Sequence, residues 1–328
     1  MREEILYNYN MKKIEPFNKV WLNCYNNLML SLLTSVDSSY ETYGFENQYK
    51  YYVGNEISGG GVKFNYLTVN QDICNFETFS TIEEKNFSDE KEFKACIVQH
   101  LCNKDGFVLI YVDLHDWLEG SICWKKFHWE HYSLLVDYDK DTRKVIAFDE
   151  LNGEYVKFQV YIDELFNHLS KNNHCSQIRL VTLKKAFSLP KLDMKNYVYN
   201  AKKIINNIDA ARKNEFWLIN EYDFKAHSHM ELNGVYLQRI EGRQEANKKM
   251  LEEFMNKSKE HSREGFKELC NGFSLLVDKW RNIRFNLFKA YFDDNNRAML
   301  LEQINRDMKK ALLHEKKIWQ EFVKVMEE

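Results

Sequence analysis

The sequence predicts an α+β protein: an N-terminal helix carrying a cysteine, an antiparallel sheet after it, and an all-helical C-terminal part. Three observations predict this. Val20, Trp21, Tyr25, Leu28, Met29, Leu32 and Leu33 recur at three- and four-residue spacing, the stripe of a helix with one buried face. Between residues 106 and 183, short β-branched and aromatic runs follow one another with turn chemistry between them. Beyond Pro190 the pattern is helical almost throughout and contains no further proline. The expected domains are therefore 1–190 and 191–328.

Residues 1–16 read as an irregular lead-in ending at Pro16. The first helix is expected from about Phe17 to the Ser/Asp-rich stretch 35–39, with Asn18 or Asn23 as its cap. Ser58-Gly59-Gly60-Gly61 is a turn before the alternating run Val62–Tyr66. It lacks the second spaced glycine and the Lys-Ser/Thr of a phosphate loop. Ser88 is the expected cap of a helix running to Leu101. Strands are expected at 106–113, 132–138, 144–149, 156–160 and 177–183, with a charged turn at Asp139–Arg143 and a helix at 162–169. In the second part, helices are expected at 197–213, 247–269, 273–292 and 297–326. They form a bundle packed on the first domain or on a second copy in a homodimer.

Composition narrows the class. The chain has 328 residues, 44% hydrophobic and 29% charged, which allows large cores in a soluble protein. The net charge of −3, with both signs interspersed, is not the footprint of a nucleic-acid binder. Seven cysteines, an odd number at irregular spacing with no C-x-x-C pair, suit a reducing cytoplasm better than a disulfide framework. No apolar run of membrane-spanning length occurs, and the N-terminus lacks the apolar core of a secretory signal.

Three residues stand out as chemistry. Cys24 falls in the first turn of the first helix, where partial positive charge favours a thiolate; the plain alternative is a buried, space-filling cysteine. His131 opens the strand Tyr132–Val136. With His128 it makes an H-x-x-H pair, but without a carboxylate at metalloprotease spacing this is a weak metal signal. Asp149 ends the return strand of the hairpin. It is expected level with Ser133 or Leu134, where it would orient His131, although a strand-end aspartate also simply opens a turn. The Cys24 backbone N–H and a side-chain donor would form an oxyanion hole: papain-like thiol enzymes, which this Cys–His–Asp order resembles, carry a glutamine six residues before the cysteine, where this chain has Asn18, and Asn23 is the immediate neighbour.

The order Cys, His, Asp at these spacings resembles papain-like thiol enzymes. Asn23-Cys24-Tyr25-Asn26-Asn27, His131–Asp139 and Val145–Asp149 are similar to motifs of the butirosin-biosynthesis-H-like branch and of the related peptidase C39-like domains, over roughly Trp21 to Leu183. Asp137 stands where that branch carries a glycine. The resemblance extends to amide synthetases of the closthioamide type. It implies a papain-like fold with catalytic Cys24, His131 and Asp149, and no cofactor. The acyl group would arrive on the phosphopantetheine of an acyl or peptidyl carrier protein and leave on a small amine, as in nonribosomal peptide assembly. The helical part, which the resemblance does not cover, would then serve as a lid or carrier-docking surface. Lys248, Lys249, Lys257, Lys259 and Arg263 would meet an acidic carrier, although a solvated helix face explains them equally. A cysteine peptidase or thioesterase, and a silent scaffold, are the rival expectations.

Overall fold

Alternation and turn chemistry between residues 80 and 183 fold into one six-stranded antiparallel sheet, and the helical pattern after Pro190 folds into four long helices. The computed structural model describes residues 14–56, 63–71, 76–103, 105–121, 123–126, 128–151, 154–172, 177–184, 194–214, 217–220, 227–257 and 260–327. The triple glycine lies outside them. The elements are α1 (Cys24–Val36), β1 (Tyr49–Glu56), β2 (Lys63–Gln71), β3 (Ser80–Lys85), α2 (Glu90–Leu101), β4 (Gly106–Asp113), α3 (Leu114–Trp117), β5 (Glu130–Asp139), β6 (Lys144–Leu151), β7 (Glu154–Tyr161), α4 (Ile162–Lys171), β8 (Ile178–Leu183), α5 (Met194–Lys213), α6 (His227–Lys257), α7 (Glu260–Phe292) and α8 (Arg297–Glu327). Among the described residues, no helix is long and apolar enough to cross a membrane.

The chain divides into two compact units. The first comprises Met1–Asn18, Cys24–Tyr40 and Asn75–Leu189. Its sheet has the order β3-β8-β4-β5-β6-β7, all neighbours antiparallel. The pleat sends alternate residues to opposite faces. Val108, Ile110 and Val112 of β4, with Leu135, Val145, Ala147, Ile178 and Leu180, form one buried cluster with Phe93, Ile97 and Leu101 of α2 and Leu165 and Leu169 of α4. Leu109, Leu134 and Phe148 alternate to the other face, where α1 packs along β5. Helix α1 buries Leu28, Met29, Leu30, Leu32 and Leu33, each worth about 1.5–3 kcal/mol of transfer free energy. Its serines tie down the lead-in: Phe17 N–H donates to Ser31 Oγ at 2.8 Å and Glu15 N–H to Ser35 Oγ at 3.0 Å. At the β5–β6 turn, Asp139 accepts from Asp141 N–H and the Thr142 hydroxyl, while Arg143 adopts a left-handed φ of 57°.

The second unit comprises Lys19–Asn23, Glu41–Cys74 and Pro190–Glu328. Here the β1–β2 hairpin packs on α5 and α6. Asn207 of α5 covers the edge of β1, accepting from Tyr51 N–H and donating to Tyr51 C=O. The core holds a polar network. The buried Glu315 carboxylate of α8 accepts from the hydroxyls of Tyr49 and Tyr51 and from Gln244. Buried Arg243 donates to Gln71 Oε1, Phe45 C=O and Asn247 Oδ1. Buried groups of this kind are tolerated because each has its partners.

Several expectations are corrected. The 1–190 boundary does not describe the first half, because Glu41–Cys74 belongs to the helical unit: the hairpin buries Tyr49, Tyr51, Leu67 and Val69 in that unit's core. Helix α1 begins at Cys24 rather than Phe17. Phe17, Trp21 and Leu22 are buried from irregular backbone, Trp21 Nε1 donating to Gly44 C=O. Asp89, not Ser88, caps α2, accepting from Glu92 N–H at 2.8 Å. The long helices α6 and α7 part between Lys257 and Glu260 rather than near residue 271.

Candidate active site

The β5–β6 pairing runs from Asp139–Lys144 up to Leu134–Phe148 and ends there. Beyond that point the ladder is replaced by side chains. Cys24, the first residue of α1, brings its sulfur to β5, where Tyr132 N–H donates to Sγ at 3.4 Å. His131, on the face shared with Val112 by register, lies near enough to act on the thiol by charge and hydrogen bonding. Its Nε2 lies 2.6 Å from Asp149 Oδ1, which leaves Nδ1 for the sulfur. Asp149 follows Phe148, level with Ser133, and is wholly buried. The three residues singled out in the sequence thus meet as a chain of contacts, Cys24–His131–Asp149.

The electrostatics favour an ion pair. Burial pushes the Cys24 thiol up, but the charge and hydrogen bond of His131 and the Tyr132 N–H outweigh it, holding the thiol below its ordinary value. Burial likewise opposes charge on His131, yet Asp149 and the Cys24 sulfur hold the imidazole well above its ordinary value. The first N–H groups of α1 add partial positive charge at the same place. Each group thus favours the charged form of the other.

Asp149 has its own support. Oδ2 accepts from Trp117 Nε1 at 3.0 Å, and Oδ1 also accepts from Glu150 N–H at 2.7 Å. Trp117, in the four-residue α3, packs edge-on to Phe158 with ring centroids 5.6 Å apart. Nothing in the sequence marks it, since its partner lies 32 residues away. On the opposite face, Tyr25 and Tyr132 lie 5.4 Å apart and Tyr111 lies 4.9 Å from Tyr132. The Arg179 guanidinium lies over the Tyr25 and Tyr132 rings while its Nε donates to Glu84. These half-buried tyrosines form an aromatic wall running up to the sulfur. No pattern in the sequence marks it: β4 carries one tyrosine, and Tyr25 lies on a different element.

The remaining predicted residues fall as follows. Asn18 is exposed, six residues before Cys24 in the irregular segment, and Asn23 immediately precedes α1. His128 is separated in role from His131: its Nδ1 pairs with Asp113 Oδ2 at 2.5 Å. Among the described residues, no group of three or more His, Cys, Asp or Glu is arranged to hold a metal ion. Lys248 pairs with Glu252 at 3.8 Å and Lys249 lies over the Phe45 ring. Lys259 and the side chains of Lys257 and Arg263 lie outside the described residues.

A thiol activated by a carboxylate-oriented imidazole at a helix start can attack an acyl carbon and hold the product as a thioester. No protein-family model matches the chain, and no curated protein sequence matches it.

Proposed function

We propose that the first unit is a papain-like acyltransferase domain of the butirosin-biosynthesis-H-like type. On this reading it moves an acyl or peptidyl group from a carrier-protein thioester, through acyl-Cys24, to an amine. The contact chain Cys24–His131–Asp149 at the start of α1 is the observation that carries the reading. The Cys24 thiolate adds to the thioester carbonyl carbon. The tetrahedral intermediate expels the phosphopantetheine thiolate, which takes the proton of the His131 imidazolium. A neutral amine then attacks acyl-Cys24 and gives its proton to His131 Nδ1. Collapse expels the Cys24 thiolate and restores the ion pair. Asp149 holds Nε2 throughout, so Nδ1 stays aimed at the sulfur. The Cys24 N–H and the Asn18 side chain are the proposed oxyanion donors. Exchange of one thioester for another is nearly balanced, and amide formation drives the cycle.

The helical unit is the proposed docking surface for the carrier or a second copy, with Lys248 and Lys249 on α6 facing an acidic carrier helix. The free thiols of Cys24, Cys96, Cys102, Cys123 and Cys270 suit a cytoplasmic setting in amide-bond-forming natural-product assembly. Incubation with acyl-carrier thioesters, read by intact mass, tests the reading: an acyl adduct should form and be absent in Cys24→Ala. Discharge of that adduct by members of an amine panel faster than by water supports transfer. Discharge by water alone makes the domain a hydrolase, and stable carrier binding without an adduct makes it a scaffold.

A further inference from the structure

A second histidine–aspartate pair lies next to the triad and is not explained by it. Asp113, the last residue of β4, sits opposite Glu130 at the start of β5, so the chain leaves and re-enters the sheet at this point. Its carboxylate gathers both ends. Oδ1 accepts from His115 N–H at 3.0 Å, capping α3, and from Trp129 N–H at 3.1 Å, just before the returning strand; Oδ2 pairs with His128 Nδ1 at 2.5 Å. Leu114 N–H donates to Trp129 C=O at 3.0 Å across the same neck. The His115 ring, on α3, stacks on His128 with centroids 4.4 Å apart. The other charged groups here are Asp116, 3.1 Å from His115 Nδ1, and Lys125, which pairs with Asp116. Two residues beyond His115, the same short helix carries Trp117, whose Nε1 holds Asp149.

We propose that Asp113 and His128 are positioning residues: together they fix the start of α3, and through Trp117 they set the orientation of Asp149 and hence of His131. Four residues of helix are too few to hold Trp117 by their own hydrogen bonds. The external ties of α3 therefore decide where the indole N–H points. Loss of the His128 tie lets the indole turn from Asp149, the imidazolium loses a firmly held partner, and thiolate formation at Cys24 shifts to higher pH. The inference rests on the Cys24–His131–Asp149 site but not on acyl transfer, and its test uses none.

The measurement is the pH profile of Cys24 alkylation by iodoacetamide on the full chain, read by peptide mass. His128→Ala should move the acid limb upward by about one pH unit, a roughly tenfold lower rate near pH 6. Trp117→Phe should give a similar shift. In the Trp117→Phe background His128→Ala should add little, because both act through one contact. His128→Asn, which keeps a donor near Nδ1, should restore most of the wild-type profile and is the variant to read if His128→Ala does not fold. An unchanged profile in His128→Ala, full additivity with Trp117→Phe, or no rescue by His128→Asn overturns the proposal. Failure of the acyl-transfer reading would appear separately, as a normal alkylation profile in a protein that takes no acyl group.

Discussion

Replacing Asp149 with Asn tests the site's electrostatics most directly, because shape is kept while charge and one acceptor are removed. Asp149 is wholly buried and receives three donors: His131 Nε2 at 2.6 Å and Glu150 N–H at 2.7 Å on Oδ1, and Trp117 Nε1 at 3.0 Å on Oδ2. An asparagine offers one oxygen. Keeping it on His131 and Glu150 turns the amide NH2 against the indole N–H, two donors face to face, which costs about 1–3 kcal/mol. The opposite rotamer sets the NH2 against two donors and is worse, so the first is expected. The charge loss acts on the ion pair. Asp149 is a leading influence holding His131 above its ordinary value, while its effect on Cys24 is direct and opposite in sign, the smallest of the effects on that thiol. Without the carboxylate the imidazole gives up its proton at lower pH and is no longer held toward the sulfur; the thiol then loses its leading lowering influence, and the acid limb of Cys24 alkylation rises by about one to two pH units. The second-order rate near pH 6 should fall by roughly 10- to 100-fold and converge on wild type well above pH 9. Thermal unfolding should report a loss of about 2 kcal/mol. An Asp149→Asn protein with an unshifted profile would show that the imidazole is not oriented by this carboxylate.

Three further outcomes follow from burial and clash. Glu46 is pushed up to about 7 by burial despite nearby Arg243, and its Oε2 is buried without a hydrogen-bond partner. A raised carboxyl contributes stability that is full below its ordinary value of 4.5 and lost as pH rises through about 7, with a ceiling of about 3 kcal/mol. Urea titrations of the helical unit should thus show higher stability at pH 4.5 than at pH 8, and Glu46→Gln should flatten the difference; equal slopes would refute it. Gly106 begins β4, and a Cβ there would lie 2.2 Å from the His100 carbonyl oxygen; Gly106→Ala should cost about 2 kcal/mol or more in thermal melts. His131→Ala strips the strongest lowering influences from Cys24 and leaves its burial, so the thiol should rise above 9.0. At pH 8 it should then alkylate more slowly than exposed Cys102, and a faster reaction would contradict the ion-pair assignment.

What the sequence revealed and what it hid have physical causes. The strands β4, β5, β6 and β8 are legible because they are buried and made of β-branched and aromatic residues. β3 is not, since Ser80–Lys85 is an edge strand in which Glu83, Glu84 and Lys85 face largely outward. The α1 stripe reads several residues too early because Phe17, Trp21 and Leu22 are buried by other means than helix packing. The break expected between residues 269 and 273 is absent: Gly272 lies in mid-helix, where a Cβ would stand 3.0 Å from Ile318 Cδ1, so the glycine serves close helix contact. Cys24, His131 and Asp149 were legible because a helix start, a strand start and a hairpin register each fix a backbone position. Trp117 and the Asp113–His128 neck were not, because their contacts depend on side-chain direction in an irregular segment.

The site's logic lies in where the sheet ends. Had the β5–β6 ladder continued two residues further, its hydrogen bonds would occupy the edge at which Tyr132 N–H meets the sulfur. Ending it at Leu134–Phe148 frees a backbone donor for the thiolate and leaves Asp149 and His131 on one face, able to reach each other at 2.6 Å. The same pleat sends Tyr132 and Tyr111 to the other face with Tyr25 and Arg179. One strand therefore supplies the imidazole from alternate residues and an aromatic wall beside the Cys24 sulfur from the residues between. Moving β5 by a single residue would exchange the two faces and destroy both. The bulge between Leu135 and Asp137 resets the alternation of β5 against β6 and, as bulges do, pins the register beside the site.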